Sequence, residues 1–562
     1  MNIPDTTATT TTPVTNCSLV GILPFTRPPD VPYKSYQVPL GTNSTNTTST
    51  STSTSTRRSF EAPPYAVTHA AAALLATDHF NARQSILVPE LADYTTTINC
   101  SVYIDDLTFF DSNSREGVAP KLLMEHYRAN NKNNAPCAIL GGYASTPTRE
   151  AAVVANSMNT VLVTHGAEDA RLVSPVTPGV TSTGSNNHPT AEAIVNWLQS
   201  KGRTDFVAVL HTSHDHGVTY ADTLDNAARE SNFTSMVYAI VGPPYTGMEP
   251  NQSIRLAMQK LQKTTYRTIV AVLNKYKGPQ LDMVADLAEE FKMNTAEYVW
   301  VFVLPGEQTL DEFVVYGSEN TNTSELLKGS ALVRPLDGAM LEDSAFRQQV
   351  WNQQDESFVE RLNGMLPKQF GVIPGDYFQQ YGPEPGAGYM YDAVMTAAMG
   401  KCQELKAASA SASPAKGGGQ GNGQGGGPGN GGKQNNNNDG GNNNNNSPNN
   451  NNNRRRRLSH RRLRTKMEIT REKEEDEEQQ HQQHSKRRHR KLQKSAELLG
   501  PHMMGITSLE FTGVTGPLAW KNERRARNRQ RTLMSWAVYN IRDIDANDKE
   551  RMEQQFPTQN FT

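Results

Sequence analysis

At 562 residues the chain exceeds one typical domain, and its formal net charge of −2 gives no global pull toward nucleic acid or an anionic membrane. Residues 1–16 and 41–58 are Thr/Ser-rich, and roughly 407–495 is Gly-rich, then Asn-rich, then charged. Setting these aside leaves about 400 residues for a core, enough for two or three lobes. No run approaches about 18 consecutive apolar residues, so the sequence predicts no transmembrane helix.

In chain order, apolar strand candidates recur: CSLVGILPF from Cys17, INCSVYI from Ile98, PCAILGG, NTVLVTH from Asn159, DFVAVLH from Asp205, SMVYAIV from Ser235, RTIVAVL from Arg267 and YVWVFVL from Tyr298. Helix-like stretches lie between them at Tyr65 to Asn81, Thr190 to Ser200, Tyr220 to Ser231, Ser253 to Lys263 and Gln280 to Lys292. This alternation predicts parallel sheets flanked by helices, and the strands outnumber what one open sheet needs, so two α/β lobes are expected. After ALVRPLDG the pattern turns helical through FRQQVWNQQDESFVERLNGML and GYMYDAVMTAAMGKCQEL. Order resumes near Ser495, with short β segments in GITSLEFTGVTGPLAW and MSWAVYNIRD.

The stretch PCAILGGYASTPTREAAVVAN, Pro136 to Asn156, reads as strand, loop and helix. Thr146 is the expected N-cap and Pro147 the expected first helical residue. In parallel α/β sheets, ligands sit beyond the carboxyl ends of strands, where helix N-termini offer unpaired N–H groups to anions. Ser145, Thr146 and Thr148 add hydroxyl groups there.

Four cysteines, Cys17, Cys100, Cys137 and Cys402, allow three pairings, and the sequence does not choose among them. Asn-x-Ser/Thr triplets at Asn16, Asn43, Asn46, Asn99, Asn232, Asn251, Asn322 and Asn560 suit a glycosylated secretory protein, although an Asn- and Thr-rich chain also makes the triplet by chance. The start, MNIPDTTATTTT, has neither the basic nor the apolar region of a signal peptide; if the triplets are glycosylated, the true start and the true end are expected outside this sequence.

HTSHDHG places His211, His214, Asp215 and His216 within six residues, but the spacing is not a zinc signature and a polar loop after a buried strand is the better reading. GNGQGG, Gly421 to Gly426, matches a dinucleotide fingerprint without the strand before it or the helix after it. There is no Walker loop, no G-x-S-x-G elbow and no H-E-x-x-H, so neither cofactor, resident metal nor catalytic residue is assigned. The basic runs RRRRLSHRRLRTK and SKRRHRKLQK flank the acidic REKEEDEEQQ. They read best as a self-compensating solvated loop rather than a nucleic-acid site, with cleavage after dibasic sites as a further reading.

YDAV at Tyr391 to Val394, followed by FTGVTGPLAW at Phe511 to Trp520 and YNIRD at Tyr539, resembles the C-terminal part of the receptor-family ligand-binding region. That region is the type I periplasmic-binding-protein-like ectodomain of natriuretic-peptide-type guanylate cyclase receptors and class C G-protein-coupled receptors. HAAAALLATDHFNAR resembles the family's first helix, CAILGGYASTPTREAAVVA its strand and ligand loop, and VLVTHGAEDARLVSP the next strand and loop. AEAIVNWLQSKGRTDFVAVLHTSHDHG resembles its hinge-proximal helix, strand and Asp-Tyr-Gly loop.

The resemblance implies a two-lobed, Venus-flytrap α/β fold that closes on a ligand, with binding rather than chemistry as its task. It places lobe 1 at 17–185 and 334–405, with 41–58 as a loop, and lobe 2 at 186–333. A disordered insertion follows at 406–495, and 496–562 supplies strands completing the lobes. It implies ligand contacts at Gly142, Ser145, Thr146, Gly166, Glu168, Asp215 and His216. Glu168 and His216 depart from the amino-acid-sensing pattern, so a small polar, amino-acid-like ligand fits but glutamate is not supported. The expected role is the extracellular ligand-binding region of a membrane receptor, attached through a segment absent from this chain, with a homodimer through lobe 1 as its oligomer. A soluble solute-binding protein is the alternative, and an α/β enzyme using the same cleft is a third.

Loop-closure entropy grows slowly with length, so a polar insertion at one surface loop is tolerated. Deleting Gly417 to Lys494 is therefore expected to leave the melting temperature and ligand binding nearly unchanged; loss of cooperative melting would show that the segment packs.

Overall fold

Short apolar runs become strands here because sheets covered by helices on both faces bury alternate side chains in opposite directions. The computed structural model describes residues 14–25, 64–96, 98–113, 115, 117–129, 135–142, 144–172, 177, 179–184, 187–203, 206–212, 215–232, 235–241, 250–273, 279–304, 321–335, 337–367, 372–412, 500–520 and 536–540. The chain divides into two units, 1–408 with 496–562, and 409–495. The two lobes belong to the first.

The first lobe is built on β1 (Thr15–Leu23), β2 (Val102–Asp111), β3 (Ala138–Gly141), β4 (Val161–Thr164) and β5 (Val180–Ser182). They pair in the order β2-β1-β3-β4-β5, and every pairing is parallel. Along β1, Leu19 and Leu23 face one apolar cluster while Val20 and Ile22 face the other. The second cluster is covered by α3 (Val118–Ala129) and α4 (Ser145–Ser157). The first is covered by α1 (Pro64–Asn81), next to the short α2 (Leu91–Thr96).

The second lobe carries β6 (Phe206–Thr212), β7 (Ser235–Val241), β8 (Thr268–Val272), β9 (Val299–Val303) and β10 (Ala331–Pro335). Helices α5 (Asn187–Ser200) and α6 (Asp215–Glu230) line one face. Helices α7 (Pro250–Gln262), α8 (Pro279–Glu290) and α9 (Thr321–Leu327) line the other. The sheet order is β13-β10-β9-β8-β6-β7, where β13 (Trp536–Asn540) is antiparallel to β10 and the other pairings are parallel.

The chain then returns to the first lobe. The FRQQV segment, expected to be helical, forms one π turn at Phe346–Val350 and a 3-10 turn at Trp351–Gln353 before α10 (Glu356–Met365) begins. Asp355 caps α10 by accepting from the Phe358 N–H at 3.0 Å, which is where the sequence breaks the helix in two. After α11 (Tyr377–Gln380) comes α12 (Ala387–Ala412), in which every residue from Ala387 to Gly400 is buried. A helix that is apolar all round belongs inside a core. The helix extends past residue 405, so the start of the segment expected to be disordered is helical. Residues 413–495, the remainder of that expected insertion, lie outside the described residues, as do 496–499 and the 41–58 loop.

Beyond them, α13 (Gly500–Thr507) crosses α12, and β11 (Glu510–Gly513) and β12 (Gly516–Ala519) form their own two-stranded hairpin. Of the C-terminal strands described, only β13 joins a lobe sheet. The cysteines pair as Cys17 with Cys137 and Cys100 with Cys402, with Cα atoms 5.4 Å apart in each. The second bond ties the end of α12 to the segment leading into β2.

The α12–α13 crossing is close. A Cβ on Gly505 would lie 2.3 Å from the Gly400 carbonyl oxygen, and one on Gly400 would lie 2.4 Å from Ile506 Cγ1. Gly505→Ala is therefore expected to destabilise the fold by about 1–3 kcal/mol, since backbone must shift to admit the methyl group. A thermal melt with an unchanged midpoint would show that the helices separate freely.

Candidate functional site

The carboxyl ends of β3, β4 and β6 bring the predicted ligand residues into one region. Gly142 follows β3 directly. Its carbonyl accepts from Thr164 Oγ1 at 3.2 Å, and a Cβ there would lie 1.8 Å from Thr148 Oγ1. Only glycine fits that approach.

Helix α4 begins two residues earlier than expected. Its N-cap is Ala144, in extended conformation and with no side-chain cap, so Ser145, Thr146 and Pro147 are the first three helical residues. Thr146 is not the cap. Instead the Thr148 hydroxyl closes the turn by donating to the Ala144 carbonyl at 2.7 Å. Because Pro147 has no N–H and the Thr148 N–H bonds Ala144, the N–H groups of Ser145 and Thr146 are the donors left at this helix end.

Ser145 Oγ accepts from the Asp169 backbone N–H at 3.2 Å, which leaves the serine proton to donate outward. This bond joins the α4 turn to the loop after β4, which holds Gly166 and Glu168. Thr146, Gly166 and Glu168 are all half-buried. Asp169 shapes this loop. Its side chain is fully buried and accepts from Arg171 Nε at 3.0 Å and Nη2 at 2.9 Å, with Arg149 Nη1 3.6 Å away. The Arg171 N–H also donates to Asp169 Oδ1 at 2.9 Å. Two guanidinium groups thus offset two adjacent carboxylates, so Glu168 does not make the loop anionic.

On the lobe 2 side, HTSHDHG is not a loop throughout. Helix α6 starts at Asp215, so Asp215 and His216 sit in its first turn; their side chains lie outside the described residues, as do Ser213 and His214. Gly217 makes this possible, since a Cβ would lie 2.3 Å from the Thr212 carbonyl oxygen. His211 is buried, with Nδ1 2.9 Å from the neighbouring Thr212 carbonyl oxygen. Helix α6 packs against both α4 and the Ala170–Leu172 turn, so the lobe 1 and lobe 2 candidates lie on touching elements.

One residue absent from the sequence reading spans the two sides. Asn187, fully buried at the start of α5, donates its backbone N–H to the Glu168 carbonyl at 2.8 Å and its Nδ2 to Thr219 Oγ1 on α6, also at 2.8 Å. The signal for it was faint: an Asn before His-Pro-Thr at a helix start. Asp169 was legible in the charge pattern EDAR, but its burial was not. The open groove of about 360 Å³ lined by Phe109, Asp111, Leu122 and Met365 lies at the β2 edge and holds none of these residues.

The two lobes carry largely parallel sheets, and α4 and α6 begin just beyond the carboxyl ends of β3 and β6. The chain belongs to the family described as receptor family ligand binding region, whose profile matches residues 68–426, more than half of its length. No curated protein matches the sequence. Among the described residues no helix is long and apolar enough to cross a membrane.

Directly behind the loop, His165 Nε2 lies 3.1 Å from His69 Nδ1, and His69 Nε2 lies 2.8 Å from the Pro385 carbonyl. Both rings are buried. Burial pushes His69 down to about 4, partly countered by the Pro385 carbonyl. Burial and then the neighbouring His69 push His165 well below the usual range. Both are therefore neutral in the fold, while the unfolded chain protonates them near the ordinary value of 6.5. The unfolded state binds more protons in this window, so stability is complete above about pH 6.5 and falls as pH drops toward 4, by about 3 kcal/mol for His69 alone. Denaturant melts between pH 7 and 5 are expected to show this slope, and His69→Gln to reduce it to the part due to His165; a slope unchanged in the variant would assign it to other groups.

Proposed function

We propose that this chain is the extracellular ligand-binding region of a membrane receptor, holding a small polar, amino-acid-like ligand between its lobes and signalling by lobe closure. The observation that carries the reading is Ser145: its oxygen is fixed by the Asp169 N–H, its proton is left to donate, and two backbone N–H groups of α4 stand beside it. That constellation suits a carboxylate or similar oxyanion. The ligand's other end would meet Asp215 and His216 on α6, where a carboxylate suits an amine. Glu168 lies in the loop that the Ser145–Asp169 bond joins to α4.

Closure gives an output only if the ligand binds the closed arrangement better than the open one, and contacts from both lobes supply that difference. The disulfides Cys17–Cys137 and Cys100–Cys402 favour an oxidising, extracellular setting. A membrane attachment outside this chain and a homodimer through lobe 1 complete the proposal. A soluble solute-binding protein remains the second reading, supported by the same clamp without the attachment. Binding without turnover distinguishes both from an enzyme.

A thermal-shift screen of free amino acids and of their amine- or carboxyl-blocked forms would identify the ligand class. Replacing Ser145 and Thr146 together with Ala is expected to weaken binding of any hit at least tenfold, since charge-assisted hydrogen bonds of about 1.5–3 kcal/mol are lost. Unchanged affinity would remove α4 from the site.

A further inference from the structure

Three Asn-x-Ser/Thr triplets fall on exposed, described asparagines, and the topology puts all three at the same end of their sheets. Asn16 is the second residue of β1, Asn99 lies three residues before β2, and Asn232 lies three residues before β7. Every one of these strands runs parallel to its sheet neighbours. Amino ends of parallel strands lie opposite the carboxyl ends, where Gly142, Ser145, Glu168 and Asp215 gather. Asn99 and Asn232 also have positive φ, 49° and 61°, which places each in a tight surface turn.

Asn322 contrasts with them. Its Nδ2 donates to Asp286 at 2.7 Å and the Thr323 hydroxyl donates to Asp282 at 2.8 Å, so that triplet is used to hold α9 on α8.

The triplets at Asn16 and Asn99 share a second feature. Their middle residues are Cys17 and Cys100, and both are disulfide-bonded in the fold. Once Asn16 is paired with Tyr103 in β1 and Cys17 is bonded to Cys137, the segment cannot leave the sheet to enter an enzyme. The partners come late, however: Cys137 follows Cys17 by 120 residues and Cys402 follows Cys100 by 302. At a synthesis rate of about 5–20 residues per second, each cysteine waits at least several seconds without its partner. The triplets are open during that interval.

We infer that Asn16, Asn99 and Asn232 carry N-linked glycans, added before the two disulfides close, on the ends of both lobes that face away from the ligand cleft. The donor is an oligosaccharide on a polyprenyl diphosphate. Asn Nδ2 loses one proton and bonds to the sugar C1; the C1–O bond breaks and the diphosphate leaves with its electron pair, with no change of oxidation state. The inference rests on the extracellular reading above.

The test is peptide mapping of the full chain expressed through a eukaryotic secretory route, after enzymatic deglycosylation in heavy-oxygen water. Labelled Asp is expected at positions 16, 99 and 232, with both disulfides intact. Ser18→Ala, Ser101→Ala and Thr234→Ala, which spare each Asn and Cys, are each expected to remove one glycan from the intact mass. If a variant is retained by misfolding, the map of the unaltered chain decides alone. Unlabelled Asn16 and Asn99 in a secreted, fully disulfide-bonded protein would overturn the inference while leaving the receptor reading standing. Free thiols together with no glycan would overturn both.

Discussion

The structure depends on one buried carboxylate. Asp392, fully buried on α12, accepts from the backbone N–H groups of Val514 and Thr515 at 2.9 and 3.1 Å and from the Thr515 hydroxyl. A buried charge without such partners would cost several kcal/mol, so the hairpin turn and the helix require each other. Gly513 is part of the same constraint, because a Cβ there would lie 2.3 Å from Asp392 Oδ1. At the start of α12 a second carboxylate repeats the device. Asp337 accepts from the N–H groups of Ala339, Gly386 and Gly388 at 3.0 to 3.3 Å, and burial raises its pKa despite those three donors. Since Asp337 follows β10 of the second lobe, it ties the strand leaving that lobe to the central helix of the first.

From this frame a chain of contacts reaches the ligand loop. Pro385, two residues before α12, holds His69 through its carbonyl, and His69 holds His165 at the root of the loop. Thr183 donates to the Tyr389 carbonyl of α12 at 2.8 Å, and its N–H to the Thr164 carbonyl at 2.9 Å. Gly184 then passes so close that a Cβ would lie 2.0 Å from the His165 carbonyl oxygen. The lobe 1 half of the clamp is thus backed by buried, mutually fixed groups. On the other side, Asn187 is the hand-over to α6.

The strands were legible in the sequence because AIL, VLVT and TIVAV are buried on both faces, and such runs have few other solutions. What escaped was set by tertiary contact. Thr146 had the better chemistry for an N-cap than Ala144, yet the helix starts two residues earlier, where Gly142 passes close to Thr148 and Ser145 meets Asp169. HDHG reads as a loop until Gly217 is seen to let α6 start against Thr212. Asp169 drew no assignment from the sequence; the fold buries it beside Arg149 and Arg171. Cysteine pairing was open because it depends on which strands are neighbours, and Cys17 and Cys137 sit where β1 meets β3.

The YDAV and FTGVTGPLAW motifs look unrelated along the chain, separated as they are by a long polar segment. In space they are one interaction, Asp392 with the 514–515 turn, and that explains why a resemblance can be carried by two short motifs. The family profile ends at residue 426, before α13 and β11 to β13. Those elements nevertheless belong to the same fold: β13 forms the edge of the second sheet, and Ile506, Phe511 and Leu518 lie in the core cluster of the first. The profile stops where sequence continuity is broken. Loop-closure entropy rises only by about 0.6 kcal/mol for each doubling of length, so the chain can be lengthened at this point while the contacts on either side stay in place. The fold therefore extends, by packing, beyond the matched residues and through the C-terminal strand.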